Sequence, residues 1–174
     1  MKQTEQEIFN TLHIKLPVSE FQNNDSPAKF IELFNNLMIR MSEGGLAPMP
    51  LMNFTVVTLD LAGQEPEKDE YPDVCQTDLY VKVEDELGNK WFPLFSERAE
   101  IGEDLLKSNV VKEIPIREII YAGYFEKDVQ GVVINPNSQC FSLPKEYLKL
   151  MVGQEDTYGE VWKACLRAID DMDK

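Results

Sequence analysis

Residues 131–144 read GVVINPNSQCFSLP, a stretch that leaves the chain few options other than a β-hairpin. Val129, Val132, Val133 and Ile134 form the short apolar run that a buried strand carries. Asn135 precedes a proline and is biased toward extended backbone, Pro136 holds φ at about −65°, and Asn137 tolerates a left-handed conformation. Cys140, Phe141 and Leu143 then make a second short strand before Pro144 opens "PKEYLKLM", a helix with Tyr147, Leu148 and Met151 on one side. Every residue of the turn has a backbone reason to be there, so Asn135 and Cys140 read as parts of a reversal rather than as catalytic groups.

The hairpin needs a sheet to extend and helices to cover it, and the rest of the chain supplies both. In "SPAKFIELFNNLMIRMSEGG", Ser26 or Asp25 can cap and Pro27 suits the first turn. Phe30, Leu33, Phe34, Leu37, Met38 and Met41 recur at helical spacing until Gly44-Gly45 ends the run. The segments "NFTVVTLDL", "TDLYVKVED", "NKWFPLF" and "NVVKEIPI" have strand composition, with "ELGN" as hairpin turn chemistry between the second and third. Ser96 is expected to cap a helix through "ERAEIGEDLLKS", and "PIREIIYAG" makes a Pro-initiated helix. Toward the termini, Thr4 with Glu7 and Thr157 with Glu160 give the pattern in which cap and third-residue side chains satisfy each other's backbone N–H groups. The first predicts a short helix to about His13, after which residues 17–26 read as a turn-rich linker. The second precedes "EVWKACLRAIDDM", where Val161, Trp162, Cys165, Leu166, Ile169 and Met172 hold helical spacing.

With 174 residues the chain is long enough for one core and short for two domains. Its formal net charge is −14, and the span from Asp60 to Glu86 holds ten acidic against two basic residues. Nucleic acid and anionic bilayers carry the same sign, so partners are expected among basic or apolar protein surfaces. Cys75, Cys140 and Cys165 form no C-x-x-C pair, and the start "MKQTEQEIFN" has neither the apolar core nor the cleavage site of a signal peptide. A cytoplasmic setting without membrane attachment is expected.

The residues offer little chemistry. A serine or cysteine nucleophile would have to recruit His13, the single histidine, from the N-terminal helix. Three dispersed cysteines and one histidine do not make a zinc site, and the acidic segment lacks the spacing that wraps oxygens around calcium. No glycine-rich phosphate cradle occurs. Neither cofactor nor metal is expected.

The order of helix, strands, "WFPLFSERAEIGEDLL", "IPIREIIYAG" and "VQGVVINPNSQCFSLPKEYLKLM" resembles the N-terminal domain of the SseB family, the enhanced-serine-sensitivity proteins. Phe92, Pro93, Phe95 and Ser96 match its aromatic, proline-bearing strand and the polar step after it, although the family commonly has threonine where Ser96 stands. Gly131, Val132, Val133, Ile134, Asn135 and Pro136 match its later glycine, apolar run and Asn-Pro. The resemblance covers about residues 27–152 and implies a fold without an assigned activity.

The expectations are these. One α+β domain spans residues 27–152, with a mixed, mainly antiparallel sheet of about five strands covered by helices. Residues 1–26 are a helical extension and linker, and residues 153–174 a helix docked on the domain. The function is non-catalytic protein interaction, as a monomer or homodimer. One alternative is an immunity-type antitoxin on a basic toxin; another is a small-molecule-binding or hydrolytic enzyme with a sheet–helix pocket, where Tyr121, Tyr124 and Asn135 would line polar positions. Ile8, Phe9, Leu12 and Leu16 need a surface that so short a helix cannot supply, in this chain or in a second copy.

Overall fold

The computed structural model describes residues 2–52 and 79–154 of the chain. It begins with helix α1 (Glu5–Asn10), capped as the sequence predicts: Thr4 Oγ1 accepts from the Glu7 N–H and Glu7 Oε2 accepts from the Thr4 N–H at 2.8 Å. Here the structure corrects the linker reading. The helix passes through a π turn at Thr11–Lys15 and continues as α2 (Leu16–Asn23), so residues 17–23 are helical. Pro17 explains both the error and the π turn. Its ring would strike the carbonyl four residues back and it has no N–H to donate, so a proline there argues against a helix. The wider turn, in which the Leu16 N–H reaches Thr11 O, makes room for it.

Helix α3 (Pro27–Ser42) is capped by Ser26 Oγ, as expected, and buries Leu33, Leu37, Met38 and Met41 along its predicted stripe. Phe34 packs against the same core, while Phe30 lies against Phe21 and Tyr147. Strand β1 (Leu46–Met52) follows, unanticipated because "LAPMPLM" carries two prolines. It tolerates them because they are two residues apart and so face one edge. Pro50 O on that edge accepts from the Val81 N–H, and the other edge pairs antiparallel with β4 (Asn109–Pro115). The predicted strand "NFTVVTLDL" and the acidic segment up to Asp78 lie outside the described residues.

The second sheet has the order β2 (Val83–Glu84), β3 (Lys90–Leu94), β5 (Val129–Ile134), β6 (Phe141–Pro144). Its outer pairs are antiparallel, and β3 with β5 is parallel. The fold class is α+β, and the described residues place six strands in two sheets rather than about five in one. An isolated antiparallel bridge pairs Leu51 of β1 with Tyr80, three residues before β2. The crossover from β3 to β5 runs through a 3-10 turn (Arg98–Glu100), helix α4 (Glu103–Ser108), β4 and helix α5 (Ile116–Phe125). The expected helix from Ser96 is therefore broken into two short pieces: Ser96 is buried and caps neither, and α4 starts after Gly102. Helix α6 (Lys145–Met151) closes the described chain and buries Leu148 and Met151. Ile116, Ile119 and Ile120 of α5 meet Phe92, Leu94, Val132 and Ile134 of the sheet in a single core. Each such side chain stabilises the fold by about 1.5–3 kcal/mol on burial.

The β2–β3 hairpin is organised by an exposed carboxylate. Asp85 accepts from Trp91 Nε1, Asn89 Nδ2 and the backbone N–H groups of Leu87 and Asn89, all at 2.9–3.0 Å. The Trp91 and Asn89 bonds pull its pKa down to about 2. A carboxyl depressed on folding stabilises the folded state above its unfolded pKa and ceases to do so as pH falls through the folded value. The Trp91 indole N–H resonance is therefore expected to hold its folded position down to about pH 2 and then shift. In Asp85→Asn that titration should vanish; a midpoint near the ordinary aspartate value would contradict the geometry.

Candidate functional site

The N-terminal helix is the part of the molecule where burial and hydrophobicity disagree. Asn10, Ile14 and Val18, four residues apart, form the row that faces inward, and all three are fully buried. Ile8, Leu12 and Leu16, also four apart, face outward and are 47%, 52% and 47% exposed, with Phe9 beside them at 39%. The helix docks on its own chain, which answers where it goes, but through the opposite row from the one the sequence singled out.

Two polar clusters hold the helix in this orientation. In the first, the buried guanidinium of Arg40 on α3 donates Nε to Asn10 Oδ1 at 3.0 Å, one terminal nitrogen to Gln6 Oε1 at 2.8 Å and the other to Glu43 Oε1 at 2.5 Å. Asn10 Nδ2 donates to Leu46 O, and Gln6 Oε1 accepts from the Leu46 N–H, so the clamp also ties in the start of β1. The Phe9 ring lies 5.7 Å from the guanidinium carbon. This is the cluster that sequence reasoning missed, although a signal existed. Arg40 is three residues after Leu37 and seven after Leu33, so helical spacing places it on the buried stripe.

The second cluster lies under the π turn. Lys15 Nζ sits 2.5 Å from Glu97 Oε1 and 2.6 Å from Glu100 Oε1. Those two carboxylates raise the Lys15 pKa, Glu100 contributing most, and the Lys15 bond holds the Glu97 carboxyl below its usual range. Gln3 Nε2 adds a bond to Glu97 Oε2 at 2.6 Å. Gln139 Nε2 reaches Lys15 O and Ser19 Oγ, each at 2.7 Å.

Asn135 belongs to this same junction. It is fully buried; its Oδ1 accepts from the Ser96 N–H at 2.9 Å and its Nδ2 donates to Ser96 Oγ and to Gln139 Oε1. Its carbonyl accepts from the N–H groups of Ser138 and Cys140. The hairpin reading stands, with a correction to the backbone. Asn135 is left-handed at φ 43 rather than extended, and the second positive φ belongs to Cys140 at 46 rather than to Asn137. A following proline disfavours the right-handed helical region, and asparagine is the non-glycine residue that best accepts the left-handed alternative. Cys140 immediately precedes β6 and is exposed. Asn135→Ala is expected to cost about 2–3 kcal/mol, because it leaves the buried Ser96 N–H unpaired and puts alanine at a left-handed position that asparagine accepts more readily. Asn135→Gly should cost less by relieving the angle, and equal urea midpoints for the two variants would contradict this account.

Tyr121 and Tyr124 lie elsewhere. Both are on α5, half-buried, with rings against Phe125 at 6.0 and 4.9 Å, and Arg117 stacks on Tyr121 at 4.8 Å. Phe125 lies just before β5 and Asn135 just after it, so a strand length of about 20 Å separates Tyr124 from Asn135. The three residues expected to line one pocket are thus not brought together. A cavity of about 360 Å³ is lined instead by Met52, Tyr80, Val81, Lys82, Glu84 and Lys90. His13 stacks on Phe9, and its Nδ1 lies 2.7 Å from Asn36 Oδ1. Among the described residues no group of three or more His, Cys, Asp or Glu side chains is placed to hold a metal ion, and no helix is long and apolar enough to cross a membrane. Cys75 and Cys165 lie outside the described residues.

No family model, curated protein or solved structure matches the chain.

Proposed function

We propose that this chain is a non-catalytic protein-interaction domain whose contact surface is the outward row Ile8, Leu12 and Leu16. The observation that carries the reading is the orientation of the N-terminal helix. Buried hydrogen bonds to Asn10 and the Lys15 ion pairs anchor it, and two leucines and an isoleucine are left about half exposed. Glu5 stands three residues before Ile8 on the same side of the helix, while Glu20, four after Leu16, is paired with Lys29 of α3 at 2.9 Å. The row with Glu5 at its start fits a protein groove with an apolar floor and a basic margin. With a net charge of −14, such a partner would be steered electrostatically. An immunity-type antitoxin on a basic toxin is the narrower form of the same proposal. The resemblance of the motif order to the SseB N-terminal domain supports the same reading, because it implies a fold without an assigned activity.

Leu12→Asp with Leu16→Asp tests the reading, since both positions are exposed and the variant should melt as the parent does. At physiological salt the parent chain used as bait is expected to retain a host protein that the variant loses. Recovery of the same proteins by both baits, or of none by either, would count against the surface.

A further inference from the structure

The C-terminal helix expected from residue 153 lies outside the described residues from 155 on. Within them, strand β4 is paired on one side only, and its partner β1 fixes which backbone groups point away. The Ile116 N–H donates to Gly45 O, and Pro48 and Pro50, which have no N–H, stand opposite Glu113 and Val111. Both facts place the hydrogen-bonded pairs of this antiparallel ladder at Ala47–Ile114, Met49–Lys112 and Leu51–Val110. Val111 and Glu113 therefore turn their N–H and C=O groups away from β1, and among the described residues these groups meet no partner. Val110 is 47% exposed, and Lys112 and Glu113 are exposed as well. An open edge of this kind is a template for a further strand.

The Glu113 side chain selects what can be added. Among the described residues its carboxylate accepts no hydrogen bond. Partial desolvation, and after it the Glu7 carboxylate, raise its pKa, and Arg98 lowers it. A lysine or arginine directly opposite Glu113 would answer both carboxylates. A second copy of β4 cannot supply one. In a two-fold antiparallel pairing, opposite side chains share a face, so opposite residue numbers add to an even sum and Glu113 never meets Lys112. Centring the pair on Lys112 sets that ammonium against its own copy, and two chains of net charge −14 repel besides. We propose that the outer edge of β4 binds an extended basic segment of another protein as an added antiparallel strand, with a lysine or arginine opposite Glu113 and a β-branched apolar residue opposite Val111. This edge is separate from the outward row of the N-terminal helix, and binding to it does not depend on that row.

The probe is a capped synthetic pentapeptide, threonine-arginine-threonine-valine-threonine, added to the full chain. Without it, the Val111 and Glu113 amides are expected to exchange with deuterium faster than the Val110 and Lys112 amides, which bond to β1. The peptide should slow both and shift their resonances saturably. Methylation of its valine nitrogen, which would face β4, should abolish the effect, and methylation of its central threonine nitrogen, which would face away, should not. Glu113→Gln should weaken binding about fivefold. Val111→Pro should block it and leave the β1 ladder intact, since the lost N–H points outward. Slow exchange at Val111 and Glu113 in the free chain would show the edge already covered and overturn the proposal. So would the absence of a saturable shift at millimolar peptide, or equal effects of the two methylated peptides. Loss of binding in Leu12→Asp would put the peptide on the helix row, and a dimer that Val111→Pro dissociates would put a second copy on the edge; either would overturn it as well.

Discussion

Replacing Gly131 by alanine is expected to lower the stability of the protein by about 3 kcal/mol or more, a large part of the 5–15 kcal/mol that a domain of this kind has. Gly131 lies in β5 opposite Pro144 of β6, at φ +153, a backbone conformation that residues with a β-carbon rarely adopt. An added Cβ would overlap the Leu143 carbonyl oxygen and come within 3.1 Å of Pro144 Cα. Both are backbone atoms, so no rotamer change relieves the clash. Either the β5–β6 ladder shifts or Gly131 changes its backbone angles, and strain of this sort costs about 1–3 kcal/mol before any loss of strand pairing. Gly88 provides the control: it has φ +80 in the β2–β3 turn, but nothing stands within 4 Å of its would-be Cβ. Gly88→Ala should therefore show conformational strain alone, about 1 kcal/mol. Urea unfolding compares the two through their midpoints at unchanged slope. Gly131→Ala no costlier than Gly88→Ala would show that the tight approach of β6 does not matter.

The second large effect belongs to Arg40. Its guanidinium is almost wholly buried, and its partners Asn10, Gln6 and Glu43 lie on three sides of it. Arg40→Ala removes the donors while leaving the Asn10 oxygen in the interior, and losing one member of a buried, charge-assisted network costs about 3 kcal/mol. Arg40→Lys should recover little, because one ammonium cannot reproduce a planar fork aimed at three acceptors. The loss should also be local. Amide exchange is expected to accelerate throughout Glu5–Asn23 while the β3–β5 pairing keeps its protection, since the helix loses its anchor and the core does not. Unchanged exchange in the helix of Arg40→Ala would show that Lys15 with Glu97 and Glu100 suffices to dock it. Gly45 reports on the same clamp: a β-carbon there would sit 2.6 Å from the Arg40 guanidinium carbon. Gly45→Ala should thus weaken the docking in the same direction, by less.

The elements written in local pattern are legible in the amino-acid sequence. The α3 stripe, the Thr4–Glu7 cap, the "PIREIIYAG" helix and the β5–β6 hairpin each rest on spacing or capping within about a dozen residues, and each occurs where the spacing places it. The errors have local causes of the same kind. Pro17 argues for a linker and Pro48 with Pro50 against a strand, yet a π turn accommodates the first and a single strand edge the other two. Ser96 reads as a cap because serine usually is one. Its N–H is instead held by Asn135, thirty-nine residues on, and nothing near Ser96 in the chain announces that bond.

By itself the sequence determined the helices α1, α3 and α5, that the Asn-Pro turn reverses the chain into a hairpin, and that Ile8, Leu12 and Leu16 are an apolar set along the first helix. These depend on backbone sterics and on periodicity, which act between neighbours. Only the tertiary structure decided which row of the N-terminal helix faces inward. That choice is made by a guanidinium thirty residues from Asn10 and by carboxylates more than eighty residues from Lys15. In the interior, a polar group must find its partner or bear the full cost of desolvation. Satisfying Asn10, Gln6 and Arg40 together outweighed burying Ile8, Leu12 and Leu16, and the apolar row faces outward.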